Sequence, residues 1–95
     1  MKAGVIGLGH GSRVLINAFR LSNIEVYGIA SKNNWKAEKI RKEKKIKIAY
    51  KNWKSLIKDK KINIVAIAVP AVFQIGMLKE CIKEKAVQRL ANQQI

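Results

Sequence analysis

Residues 5–13 read VIGLGHGSR, an apolar stretch running straight into three evenly spaced glycines, Gly7, Gly9 and Gly11. Residues 3–7, AGVIG, read as a short apolar strand. Past the glycines, Val14, Leu15, Ala18 and Phe19 recur at helical spacing, and Ser22 and Asn23 close the segment. A strand, a bare turn and a helix in that order suit one task. The first glycine permits a tight turn, the second lets phosphates approach the backbone, and the third position must be small so that helix and strand can pack. Gly7 and Gly9 fill the first two positions, Ser12 the third, and Gly11 leaves the chain bare just before it. N–H groups at the start of the helix, helped by its dipole, would then face an anion. The loop is therefore expected to seat a dinucleotide pyrophosphate, with Leu8 and His10 as further loop contacts. A glycine-rich turn without a ligand is the alternative. Binding is favoured because the motif follows the first strand and opens a helix within a βαβ unit.

The rest of the chain continues the alternation. Residues 24–30, IEVYGIA, are β-branched and partly alternating, which predicts a second strand. Residues 34–45 are polar with Ala37 and Ile40 as a thin apolar stripe, a surface helix. IKIAY, residues 46–50, is a short strand. Asn52 can cap a helix whose inner face is Trp53, Leu56 and Ile57. INIVAIAV, residues 62–69, is a continuous apolar run, the mark of a strand buried on both faces. From Ala71, Ile75, Leu78, Cys81 and Ile82 form the inner face of a last helix. The order β-α-β-α-β-α-β-α predicts an α/β fold: a Rossmann-like, doubly wound parallel sheet that ends after about four strands. Residues 1–86 are expected to form this domain. Residues 87–95 fit no pattern and are expected to be a poorly ordered tail.

The chain has 95 residues, one domain at most. A hydrophobic fraction of 48% argues against disorder. Cys81 is the one cysteine, which excludes an internal disulfide and suits a reducing cytoplasm. The N-terminus lacks the apolar core and cleavage site of a signal peptide, and the longest apolar run is too short for a membrane span and is broken by Pro70. The net charge of +14 is concentrated, since thirteen of the twenty Lys and Arg residues lie in residues 32–61. Such a surface attracts polyanions. Yet lysines outnumber arginines sixteen to four, and arginine is the better bidentate phosphate reader. A solvated lysine-rich surface is the favoured reading, and neither a nucleic-acid partner nor a membrane is expected.

The end of the second strand bears on cofactor choice. In NAD-binding folds an acid there bonds the ribose 2′-hydroxyl. This chain places Ser31 and Lys32 there instead. A hydroxyl and a cation suit a 2′-phosphate, so NADP is expected, with NAD the alternative; Lys32 as one more surface lysine is the plainer reading. His10 is the only histidine, and a loop contact to the cofactor fits it better than a proton relay. One His and one Cys without clustered carboxylates predict no metal site. Cys81 is expected in the core. Trp53 is expected to pack inward, which leaves Trp35 the weaker candidate for stacking on a nucleic acid base.

Four landmarks, GVIGLGHGSR, VYGIASKN, YKNWKSLIKDKKINIVAIAVP and the helix after Pro70, resemble the N-terminal half of the glucose–fructose oxidoreductase / inositol dehydrogenase / MocA (Gfo/Idh/MocA) family of NAD(P)-dependent oxidoreductases. The resemblance covers residues 1–85. It implies that Val69 and Pro70 lie near the nicotinamide ribose, and that Gln74 stands where many members carry a histidine and some a glutamine. It also implies hydride transfer between the nicotinamide and a secondary alcohol or ketone of a sugar- or cyclitol-like substrate. Family members continue into a fifth strand, a Glu-Lys-Pro motif with the catalytic lysine, and a second α/β domain that holds the substrate. No Glu-Lys-Pro occurs in these 95 residues. The expectation is therefore an oxidoreductase by family, in which this chain binds cofactor without turnover and carries no catalytic residue. Two other readings stay open: a basic nucleic-acid-binding module, or a non-catalytic Rossmann-like remnant. An exposed sheet edge and apolar helix face would favour self-association.

Overall fold

The apolar stretch before Gly7 forms strand β1 (Lys2–Ile6), and the glycine turn leads into helix α1 (His10–Leu21). There follow β2 (Glu25–Ala30), α2 (Asn34–Glu43), β3 (Ile48–Tyr50), α3 (Trp53–Lys58), β4 (Ile64–Ile67) and α4 (Ala71–Gln93). The structure, a computed structural model, describes residues 1–7 and 9–93; the side chains of His10 and residues 89–93 are outside the description. The strands form one parallel sheet in the order β3-β2-β1-β4. All four strand C-terminal ends therefore lie along one edge, and the chain order reverses between β1 and β4. In open parallel sheets that reversal is where a crevice forms.

Side-chain capping explains two of the helix starts. The Asn33 side chain accepts from the Lys36 N–H at 3.0 Å, and that of Asn52 from the Ser55 N–H at 2.8 Å. Helix α2 stops at Glu43, two residues short of the predicted end, because Lys45 takes a left-handed φ of 54°. Helix α4 continues to Gln93 and so takes in residues 87–93 of the segment read as a tail.

Two apolar layers sandwich the sheet. Val5, Val26 and Ile29 face Ile16 of α1 and Ile40 of α2. On the other face Ile6, Tyr27 and Ala30 meet Leu56 and Ile57 of α3 and Ile62, with Met77 and Cys81 of α4 alongside. The alternation in β2 breaks because the register against β1 shifts between Ala3 and Gly4, so that Val26 and then Gly28 are paired. Tyr27 is the extra residue of this bulge, which returns Ile29 and Ala30 to their proper faces.

Three packing expectations are corrected. The inner face of α1 is Ser12, Leu15, Ile16 and Phe19, whereas Val14 and Ala18 face solvent. The buried, close-packed Ser12 sets the phase of the helix. Strand β4 is only half-buried, because it is the sheet's edge among the described residues. On α4 the covered positions are Met77, Cys81, Glu84, Lys85 and Gln88, and Ile75, Leu78 and Ile82 are exposed. Only Cys81 of the four predicted inner residues packs inward, since polar ties from Lys85 to the α3–β4 connection and from Gln88 to the last carbonyl of α3 fix the roll of the helix.

Candidate functional site

The glycines of the first turn do different things. Gly7 has φ +114°, and a Cβ built on it would stand 2.2 Å from the Ala68 carbonyl oxygen. Its N–H donates to the Ala30 carbonyl at 2.8 Å, while the Ala68 N–H donates to the Ile6 carbonyl at 2.8 Å. Gly7 is thus glycine for the sake of the fold, holding the ends of β1, β2 and β4 together. Gly9 is the opposite case. Its φ of −74° is open to any residue, and a Cβ on it would meet nothing within 4 Å among the described residues beyond its chain neighbours. It caps α1 without a side-chain hydrogen bond, and no acid stands in the first turn. The positive end of the helix dipole is thus left without a nearby carboxylate from that turn. A side chain at Gly9 would enter the open space beside the loop, at the N-terminus of α1.

Behind this loop, Ser12 is buried and its hydroxyl donates to the Gly9 carbonyl at 2.7 Å. The third position of the motif therefore both packs closely and ties down the turn. Gly11 is less constrained, since a Cβ there would touch only the Ala68 Cβ, at an ordinary 3.8 Å.

The loop opens onto a cleft of about 640 Å³ along the C-terminal edge of the sheet. Each strand contributes to it: Gly7 and Gly9 after β1, Ser31 and Lys32 after β2, Lys51 and Asn52 after β3, and Ala68, Val69 and Pro70 after β4. Trp53 from α3 and Phe73 and Met77 from α4 supply apolar wall. The volume is in the range of small-molecule sites. Among the described residues the lining carries two cations, Lys32 and Lys51, and no carboxylate. The Lys32 ammonium lies 5.0 Å from the centre of the Phe73 ring, a cation–π distance. The Ser31 hydroxyl accepts from the Asn33 N–H at 3.2 Å, which shapes the turn into α2.

Of the residues singled out in the sequence, the structure brings Gly7, Gly9, Ser31, Lys32, Val69 and Pro70 to one cleft. Gly11 and Ser12 stand behind the loop. Gln74 is not in the lining; its amide donates to the Val69 carbonyl at 2.8 Å and braces the β4–α4 turn. Leu8 lies outside the described residues, and His10 opens α1 with its side chain outside the description. The sequence reading missed Lys51, Asn52, Trp53, Phe73 and Met77. A signal was present: once the strands are parallel, the residues after the third strand share the edge with the glycine turn.

Below the cleft a polar knot fixes α3 and α4. The Tyr50 hydroxyl donates to Asp59 Oδ2 at 2.5 Å, and Lys85 Nζ donates to the carbonyls of Asp59 and Ile62 at 3.0 and 2.6 Å. Burial and the Asp59 carboxylate push the Tyr50 phenol well above its ordinary range. Burial alone would raise the Asp59 carboxyl. The Tyr50 hydroxyl, the Lys61 N–H and the charges of Lys61 and Lys85 outweigh it and hold that carboxyl below its usual value. Burial lowers the Lys85 ammonium.

Comparison with known proteins agrees with this geometry. The model of an oxidoreductase family, GFO_IDH_MocA, with an NAD-binding Rossmann fold, matches residues 1–91. Among solved structures, an NAD-binding oxidoreductase from Klebsiella pneumoniae is 21% identical with TM-score 0.84, over 90% of this chain and 25% of that one. Myo-inositol dehydrogenase from Lactobacillus casei, in complex with NAD(H) and myo-inositol, is 24% identical with TM-score 0.77, over 87% of this chain and 25% of that one. A protein from Desulfitobacterium hafniense, provisionally classed as an NADPH-dependent oxidoreductase, is 20% identical with TM-score 0.79, over 87% of this chain and 24% of that one. The chain spans about a quarter of the length of the structures it matches. A search of curated proteins gives no match.

Proposed function

This chain belongs to the Gfo/Idh/MocA oxidoreductase family, matching its NAD-binding Rossmann domain, and on that premise we propose that it holds NADP, with NAD the alternative, in the cleft at the glycine turn. The observation that carries the reading is Gly9. Nothing in the fold requires a glycine there, yet a side chain would fill the approach to the helix N-terminus. Gly9, Gly11 and the start of α1 would hold the pyrophosphate. Ser31 and Lys32 would meet the ribose 2′-position, and Val69 and Pro70 would flank the nicotinamide ribose. Gln74 would set that last turn through its bond to Val69. The acid-free lining with two lysines supports NADP over NAD, because a 2′-phosphate adds negative charge where the cleft has none of its own.

The bound nicotinamide would supply a hydride acceptor or donor for a secondary alcohol or ketone of a sugar- or cyclitol-like substrate. This chain's part is orientation: it fixes the cofactor by its phosphates and riboses and leaves the nicotinamide face to groups beyond these residues. Cofactor binding without turnover is the proposal for the 95 residues by themselves. Binding in a reducing cytoplasm, and self-association through the exposed face of α4, belong to the same reading. Calorimetric titration with NADPH and then NADH, at about 0.3 M salt to screen nonspecific attraction, tests the cofactor assignment. Tighter NADPH binding is expected. Equal affinities would discard the preference for NADP, and no binding to either by the folded protein would reject the site.

A further inference from the structure

Lys32 is one of two lysines in the described lining of the cleft, and its ammonium has an aromatic neighbour. Its ammonium rests 5.0 Å from the Phe73 ring centre, and Phe73 stands on the first turn of α4, across the cleft from the β2–α2 turn. Lys51 reaches the same cleft from the β3–α3 connection, and among the described residues no carboxylate lines it to neutralise either cation. Asp59, the acid at the other end of α3, is engaged by the Tyr50 hydroxyl and the Lys61 N–H. From this geometry we infer that Lys51 and Phe73 complete a phosphate-reading site with Lys32: Lys51 as its second cation, and Phe73 as the positioning residue that holds Lys32 toward the cleft.

The inference rests on the proposed NADP site and makes it a three-loop device. A ribose 2′-phosphate would sit between ammonium groups from the ends of β2 and β3. The aromatic face spares Lys32 part of the cost of ordering a long side chain, because the ring already attracts the ammonium in the free protein. Neither Lys51 nor Phe73 is required for the pyrophosphate at Gly9, so their effects should separate by cofactor.

The test measures NADPH and NADH affinities by calorimetry on the full chain and on Lys51→Gln, Lys51→Arg, Phe73→Leu and Phe73→Trp. Adenosine 2′,5′-bisphosphate and AMP serve as smaller probes of the same difference. Lys51→Gln is expected to weaken NADPH by about tenfold, the size of one lost charge-assisted hydrogen bond, and to leave NADH within about twofold. Lys51→Arg should restore most of the NADPH affinity. Phe73→Leu should lower the NADPH-to-NADH preference, and Phe73→Trp should restore it, which a loss of wall packing alone would not do. Equal losses for both cofactors in Lys51→Gln, or an unchanged ratio in both Lys51→Gln and Phe73→Leu, would overturn the inference while leaving the dinucleotide site intact. Failure of the unaltered chain to bind either cofactor would instead reject the site on which it rests.

Discussion

At the scale of single residues, the three glycines of the first turn separate fold from function. Gly7→Ala forces a side chain into a left-handed conformation and against the Ala68 carbonyl, and should cost at least about 2 kcal/mol. For a chain of this length that is a fall in melting temperature of roughly 10 °C, measurable by circular dichroism. Gly11→Ala should be accepted, because its Cβ makes only an ordinary contact and alanine is the better helix residue. An equal or higher melting temperature is the expected outcome, with cofactor affinity retained because alanine keeps the backbone N–H that would face the pyrophosphate. The glycine spacing alone pointed to a tight strand-to-helix turn, which the structure has. It could not tell which glycine answers to the backbone and which to open space, because that depends on Ala68, which only the sheet brings alongside. Ser12 was legible as the small third residue, and its hydrogen bond to Gly9 adds a second reason for its type.

At the scale of elements, the four strands and four helices were legible from alternation, and most boundaries moved by one to two residues. The roll of α4 was not. Its most apolar stripe, Ile75, Leu78 and Ile82, faces outward, while Lys85 and Gln88 turn inward to reach backbone carbonyls at the end of α3 and in the α3–β4 connection. Hydrophobic spacing cannot reveal a helix phased by polar ties. The knot of Tyr50, Asp59 and Lys85 therefore carries a prediction about pH. Asp59 is held below its ordinary value, so its contribution is present above pH ~4 and lost as pH falls through its folded value. Tyr50 is raised, so its contribution is present below pH ~10 and lost as pH climbs past that. The destabilisation caused by Tyr50→Phe should thus be largest between roughly pH 5 and 9 and shrink on both sides. Urea unfolding from about pH 3 to pH 11, on both sides of that plateau, measures it, and a difference that stays constant over the whole span would show that the bond to Asp59 is not what Tyr50 contributes.

At the scale of the whole molecule, two surface features meet. The cationic segment predicted from composition spans α2, β3 and α3, and the few acids within it are engaged: Glu43 with Arg13 at 3.6 Å, Glu38 with Arg41 at 2.5 Å and Asp59 with Tyr50. On the opposite side of the sequence, Val72, Ile75, Leu78 and Ile82 leave an apolar stripe on α4 that is half or more exposed. Among the described residues, no helix is long and apolar enough to cross a membrane. Charge repulsion opposes association of like chains and the stripe favours it, so raising salt should tip the balance. Light scattering is expected to show association growing between about 0.05 and 0.5 M salt, and Leu78→Glu with Ile82→Lys should abolish it. A monomer at every salt concentration would mean that the stripe is too small to drive pairing.

The fold places every strand end at one cleft, and the account stands or falls on whether Gly9 is bare for a ligand. The most direct measurement compares NADPH binding by the unaltered chain and by Gly9→Val, with circular dichroism on both. The account predicts matching spectra, melting temperatures within a few degrees, saturable binding to the unaltered chain and none to the variant. Unimpaired binding by a folded Gly9→Val protein would contradict it, and would move the dinucleotide away from the glycine turn.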